Sequence, residues 1–181
     1  MQEVSNVYLY TAIPAFTLGS SLLIDYKSTL KLMALATESL AVTGALTQLA
    51  KASVRRFRPR TYPESDLSLQ SKLSKDQTNS FFSGHSSAIS ASCGFTAKVF
   101  SDYFPESNYR YLVWASMLSI GAAGSWLRVE AGAHFPSDAI IGFAVGFASS
   151  WGVLELHKND SISVIADPSQ DKIGLEYKLR F

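Results

Sequence analysis

Three separated stretches carry residue types that could do phosphoryl chemistry together. In "KASVRRFRP", Lys51, Arg55 and Arg58 stand at i, i+4 and i+7, a spacing that puts three cations on one side of a helix. Pro59 disfavours helical geometry for the residue before it, so Arg58 is expected to leave the helix line and turn its guanidinium inward. In "FFSGHSSAIS", Ser83 reads as a helix cap and Gly84 as a place where a bound group can approach the backbone. Free amides and the positive end of the helix dipole make such a start suited to an oxyanion, and His85 beside it could hand a proton to a leaving group. In "RVEAGAHFPSD", Arg128 is followed by His134 and, four residues on, Asp138. That spacing lets a carboxylate fix one ring nitrogen and leave the other free to attack. Each stretch also has a plainer reading. These are a solvated basic helix end, a histidine that caps or packs against Phe81 and Phe82, and a structural His–Asp hydrogen bond.

The elements that must position these groups are mostly helical. Apolar periodicity marks five segments, at about 8–24, 29–55, 84–103, 109–128 and 136–157, with Pro136 placed for a first helical turn. Between the second and third lies a polar, proline-punctuated connector, long for a compact domain and therefore functional or disordered. After Lys158 the pattern changes to period two, with Leu175, Tyr177, Leu179 and Phe181 alternating with Glu176, Lys178 and Arg180. The chain thus divides into an all-α bundle of about five helices over 1–158 and a tail over 159–181 that forms a short β-hairpin packed on it.

Bulk properties narrow the class. A chain of 181 residues fits one domain, and a formal net charge of +1 gives no global field for nucleic acid. Cys93 is the single cysteine and reads as a buried thiol. Charged residues make up 17%, below the roughly 25% of soluble domains, so membrane residence is open. Uncharged runs at 8–24, 111–127 and 139–154 stand near the lower limit of about 17 residues for a spanning helix, and are diluted with Gly, Ser and Thr. Glu3 is the sole charge before Asp25, so no signal peptide is visible.

In order, Lys-x6-Arg-Pro, Ser-Gly-His and Arg-x5-His-x3-Asp resemble the motifs of the type 2 phosphatidic acid phosphatase superfamily, which also holds bacterial non-specific acid phosphatases and vanadium haloperoxidases. Two positions depart from the family's pattern: Phe82 stands where a proline is usual, and Leu127 where a serine is usual, with Ser125 two residues further back. The resemblance implies the helix-bundle fold and assigns roles. His134 would be the nucleophile that forms a phosphohistidine, Asp138 its orienting partner, and His85 the acid and then the base. Lys51, Arg58, Ser83, Gly84 and Arg128 would hold the phosphoryl oxygens. Neither Glu130 nor Gly132 receives a role, and His157 reads as a solvated or dipole-stabilising helix end.

The implied activity is hydrolysis of phosphate monoesters or diphosphates without a metal or other cofactor, with vanadate acting as a phosphate-mimic inhibitor. The substrate would be a phosphorylated lipid or a small phosphomonoester, with no nucleic-acid partner; the membrane surface or its interior is open, and oligomeric state is not legible. The competing readings are a vanadium haloperoxidase and a non-catalytic phospholipid-binding bundle. Membrane members of the family usually have longer, more apolar helices, so the modest hydropathy here favours a periplasmic or envelope-associated bacterial enzyme, its site outside the cytoplasm, over an integral inner-membrane one.

Overall fold

A computed structural model of the chain describes residues 26–62, 77–158, 161–167 and 172–178. The segment expected as a helix at 8–24 and most of the 60–80 connector lie outside these residues. Within them the other four helices are present: α1 (Tyr26–Val54), α2 (Gly84–Tyr103), α3 (Tyr109–Glu130) and α4 (Pro136–Leu156). A single 3-10 turn, Pro59–Thr61, follows α1. The fold class is the expected helical bundle, with a two-stranded antiparallel ribbon behind it. Its strands are β1 (Ser161–Asp167) and β2 (Lys172–Lys178), in a register running from Ser161 opposite Lys178 to Asp167 opposite Lys172. β1 comes against α1.

Helix ends follow from local chemistry. α1 stops at Val54 because Arg55 takes a left-handed φ of 46°, a geometry that breaks the helix. Ser83 caps α2, its oxygen accepting from the Ser86 amide at 3.2 Å. Beyond α3, Gly132 adopts φ +62°, which glycine does without strain. α4 opens with Pro136, whose missing amide is one the first turn would leave unbonded anyway.

These boundaries place the termini that matter at one end of the bundle. α1 and α3 run toward that end, and α2 and α4 start from it. The apolar cluster of Leu32, Leu35, Phe95, Val99, Val153 and Leu154 lies toward the other end, roughly 15–35 Å along the helices by their rise per residue.

α2 is the central helix, packed on α1, α3 and α4, and its crossing with α4 is the closest. Small residues permit that closeness. A Cβ on Gly146 would stand 1.9 Å from the Ser87 carbonyl oxygen, and one on Gly142 would stand 2.5 Å from that of Ser83. The Ser90 hydroxyl donates across the same seam to the Phe143 carbonyl. α1 contributes a stripe of buried hydroxyls, Ser39, Thr43 and Thr47, each donating to the carbonyl four residues back, and Thr47 also meets the Ser87 hydroxyl at 3.1 Å. The buried seam is therefore lined with hydroxyls and glycines more than with large apolar side chains.

Candidate active site

The end of α1, the starts of α2 and α4 and the end of α3 converge, and each brings charge or an imidazole. Arg58 and Arg128 are both buried, at 7% and 4% exposure, as are His134 at 2% and Asp138 at 0%. Burial of this many ionisable groups in one place is costly unless they serve one another or a ligand.

Arg58 reaches the site as expected, by leaving the helix: its backbone is extended (φ −76°, ψ 151°), and its Nη1 donates to the Ala133 carbonyl at 3.3 Å. The expected face of Lys51, Arg55 and Arg58 on one helix is not formed. α1 ends at Val54, so Arg55 is turned out and exposed while Arg58 is redirected inward. Lys51 stays on the last turn of α1, and its Nζ lies 3.4 Å from where a Cβ on Gly84 would stand. The glycine thus leaves room for an ammonium over the start of α2. Ser83 is fully buried, its amide donating to the Asp138 carbonyl at 3.0 Å, which ties the cap of α2 to the first turn of α4.

His85, second residue of α2, feels this charge. Burial lowers its pKa most, and the positive charges of Arg128, Lys51 and Arg58 lower it further, to about 4. His134 is lowered to about 3, first by burial and then by Arg58, with Arg128 adding to the effect; the Ser80 carbonyl and the Asp138 carboxylate pull the other way. Both rings are therefore neutral at pH 7, and Arg58 and Arg128 act on both. The two imidazoles share one cationic environment although 49 positions separate them in the chain, from 85 to 134.

The partner of His134 differs from the expectation. Its Nδ1 lies 2.8 Å from the Ser80 carbonyl oxygen, which can only accept, so Nδ1 carries the proton and the Nε2 lone pair is left available. Asp138 acts one step further out. Its Oδ2 accepts from the Ser80 hydroxyl and, at 3.1 Å, from the Phe135 amide, while Oδ1 accepts from Arg56 Nη1 at 2.7 Å. The physical reason is helical. As the third residue of α4, Asp138 turns its carboxylate back to cap its own first turn, which takes it away from the ring four residues earlier.

Two residues that the sequence did not single out hold this arrangement. Arg56 also donates to the Ser137 hydroxyl at 2.9 Å and stacks 4.0 Å over the Phe135 ring. The periodic spacing that selected Arg55 passed over it, because that spacing assumed an unbroken helix. Ser80 contributes mainly through a backbone carbonyl, which has no signature in residue type. Of the other positions weighed earlier, Leu127 is 60% exposed and Ser125 is buried. Glu130 is exposed, and Cys93 is a buried free thiol. His157 ends α4, with Nδ1 3.0 Å from the Val153 carbonyl and Nε2 3.7 Å from Glu38.

The family model described as the PAP2 superfamily matches residues 32–162, well over half of the chain, and the chain belongs to that superfamily. A solved structure with the same fold is described as the first transmembrane PAP2 type phosphatidylglycerolphosphate phosphatase, from Bacillus subtilis. It superposes with a TM-score of 0.64 at 20% identity, covering 87% of this chain and 75% of that one. No curated protein matches the chain. Among the described residues, three stretches are long and apolar enough to cross a membrane, Ser28–Thr61, Tyr109–Glu130 and Pro136–Leu156.

Proposed function

We propose that the chain is a membrane-embedded phosphatase that hydrolyses a lipid phosphate monoester or diphosphate through a phosphohistidine formed on His134. The observation that carries this reading is the hydrogen bond between His134 Nδ1 and the Ser80 carbonyl. It fixes the tautomer of a buried, neutral imidazole whose other nitrogen keeps its lone pair, beside two buried guanidinium groups. A structural histidine would need neither the cations nor the free nitrogen.

The chemistry follows with few parts. Arg58, Arg128 and Lys51, with the amides at the start of α2 and the proton of the Ser83 hydroxyl, receive the non-bridging phosphoryl oxygens. Charge is thereby stabilised where phosphoryl transfer develops it. Nε2 of His134 attacks phosphorus, the P–O bond to the alcohol breaks, and protonated His85 gives its proton to the departing oxygen. Neutral His85 then takes a proton from water, whose oxygen attacks phosphorus. The N–P bond breaks, releasing inorganic phosphate and restoring His134. Ser80 and Asp138, with Arg56 behind them, steady the imidazolium character that develops on His134, through the chain carboxylate, hydroxyl, carbonyl and ring.

Embedding is supported by which side chains face outward. Leu49, Leu112, Leu127 and Ile140 are each at least 60% exposed, whereas Ser, Thr and Gly line the interior. The site lies at the ends of the three membrane-capable helices. Phosphorus from the membrane's headgroup layer would reach it without leaving the interface.

The decisive test is chemical trapping. Mixing detergent-dispersed protein with 32P-labelled phosphatidylglycerophosphate or another lipid phosphate and quenching in alkali is expected to leave a base-stable, acid-labile label on the wild type and none on His134→Ala, with turnover persisting in excess chelator. Label retained by His134→Ala, or turnover that stops with the metal removed, would overturn the reading.

A further inference from the structure

Between α3 and α4, on the outward side of the site, lies a cleft of about 240 Å³ walled by Trp126, Val129, Pro136, Ile140 and Phe143. Its walls are apolar with one exception. Ser125 is 6% exposed, and its Oγ has no hydrogen-bond partner among the described residues. A buried hydroxyl left unsatisfied costs about 1–3 kcal/mol, so one facing an apolar cleft marks a place where an acceptor is missing.

The position of this hydroxyl says what the acceptor belongs to. Ser125 and Arg128 are one turn apart on the inward face of α3, roughly 4.5 Å along its axis. Across the cleft, Pro136 and Ala139 flank Asp138 in the first turn of α4. The cleft therefore begins where the cationic cage ends. Its outer rim is open: Trp126 is 58% exposed and Ile140 66%, both on helices able to cross a membrane. At about 240 Å³ it is smaller than the ~300–1,000 Å³ typical of a whole small-molecule site, so it fits a portion of a ligand whose remainder lies outside.

We infer that this cleft binds the first part of a fatty acyl chain of the substrate, with the Ser125 hydroxyl donating to the chain's ester carbonyl. This rests on the phosphatase reading and names the substrate class within it: acyl-ester phospholipids, in preference to polyprenyl phosphates, whose chains carry no oxygen to accept from Ser125. Both substrates would place phosphorus in the cage. Only the first satisfies the buried hydroxyl a few bonds away.

The test compares three substrates on detergent-solubilised full-length protein: a diacyl glycerophosphate, a polyprenyl monophosphate and p-nitrophenyl phosphate. Ser125→Ala removes an unsatisfied polar group, so its thermal midpoint is expected to be unchanged or higher. It should lower kcat/KM for the diacyl lipid about 3–10-fold, the worth of one hydrogen bond, and leave the other two unchanged. Ala122→Phe, which fills the cleft from an exposed position on α3, should abolish diacyl turnover and spare p-nitrophenyl phosphate. Equal effects on all three substrates, or none on the diacyl lipid, would overturn the inference while leaving the phosphatase reading intact. If no phosphate ester is turned over, the cleft is tested by binding: quenching of tryptophan fluorescence by a brominated diacyl lipid should be lost in Ala122→Phe, and persistence of the quenching overturns it.

Discussion

The cations that would hold a phosphoryl group also act on the imidazole proposed to protonate its leaving oxygen. Arg128, Lys51 and Arg58, added to burial, hold His85 near pKa 4, so the free protein carries it neutral at pH 7. General acid catalysis needs the other form. A bound phosphate ester carries about −1.5 to −2 charges, which offset those cations and must raise the pKa of His85. The complex then binds more protons than the free protein, so anion affinity rises as pH falls from 7 toward 4, the window between ligand-raised and free values. Titrating the His85 ring by NMR should give a value near 4 alone and a higher one with vanadate, and His85→Gln should flatten the pH dependence of vanadate affinity relative to wild type. A ring that titrates near 6.5 with and without vanadate would refute the coupling. At this scale the sequence was informative where the candidate site is built from side chains of distinctive type, as with His85, Arg128 and His134. It was silent where the site is held by a backbone carbonyl, as at Ser80, or by a side chain hidden by a wrong assumption of helix, as at Arg56.

The geometry of those side chains depends on how closely two helices approach. Ser83 of α2 and Asp138 of α4 are joined by a backbone hydrogen bond of 3.0 Å, and the approach that permits it rests on Gly142 and Gly146. Because a Cβ on Gly146 would stand 1.9 Å from the Ser87 carbonyl oxygen, backbone against backbone, no rotamer change relieves the clash. Gly146→Ala is therefore expected to force the helices apart and destabilise the protein by about 3 kcal/mol or more, at the upper end of overpacking costs. Gly152 on the same helix meets nothing within 4 Å, so Gly152→Ala is expected to be neutral or stabilising by about 0.5–1 kcal/mol. Thermal midpoints of the two variants in one detergent make the comparison, and equal midpoints would contradict the tight crossing. The existence and bounds of α2, α3 and α4 were legible to within two or three residues from periodicity, Ser83 and Pro136. The crossing itself was not, because glycines in a helix show that close approach is possible without showing which partner approaches.

On the described helices, many large apolar side chains face out, while the seams around the site are lined by small or polar ones. α3 buries only Gly121, Ser125 and Arg128 among the residues of its length, at i, i+4 and i+7, while Leu112, Leu118, Ile120, Trp126 and Leu127 are exposed. Water would penalise that distribution heavily, and lipid would not. A mean hydropathy of +0.10 hides it, because an average over both faces counts the inward Ser, Thr and Gly against the outward Leu and Ile. That is why the sequence favoured an enzyme outside the bilayer, while the same residues, sorted by face, are what the proposed membrane-embedded reading requires. Aromatic side chains follow a related pattern: Tyr109 and Tyr111 stand exposed at the start of α3 and Trp126 near its end, roughly 22–26 Å apart by helix rise, somewhat less than the ~30 Å of a hydrocarbon core. When cells expressing the full chain are fractionated, the protein is expected in the membrane pellet, to stay there through an alkaline carbonate wash that strips peripheral proteins, and to enter solution only with detergent. Release by carbonate or high salt would place the apolar faces of α1, α3 and α4 against another protein surface and not against lipid, because a bundle held only at the headgroup layer has no reason to turn Leu49, Leu127 and Ile140 outward on three different helices.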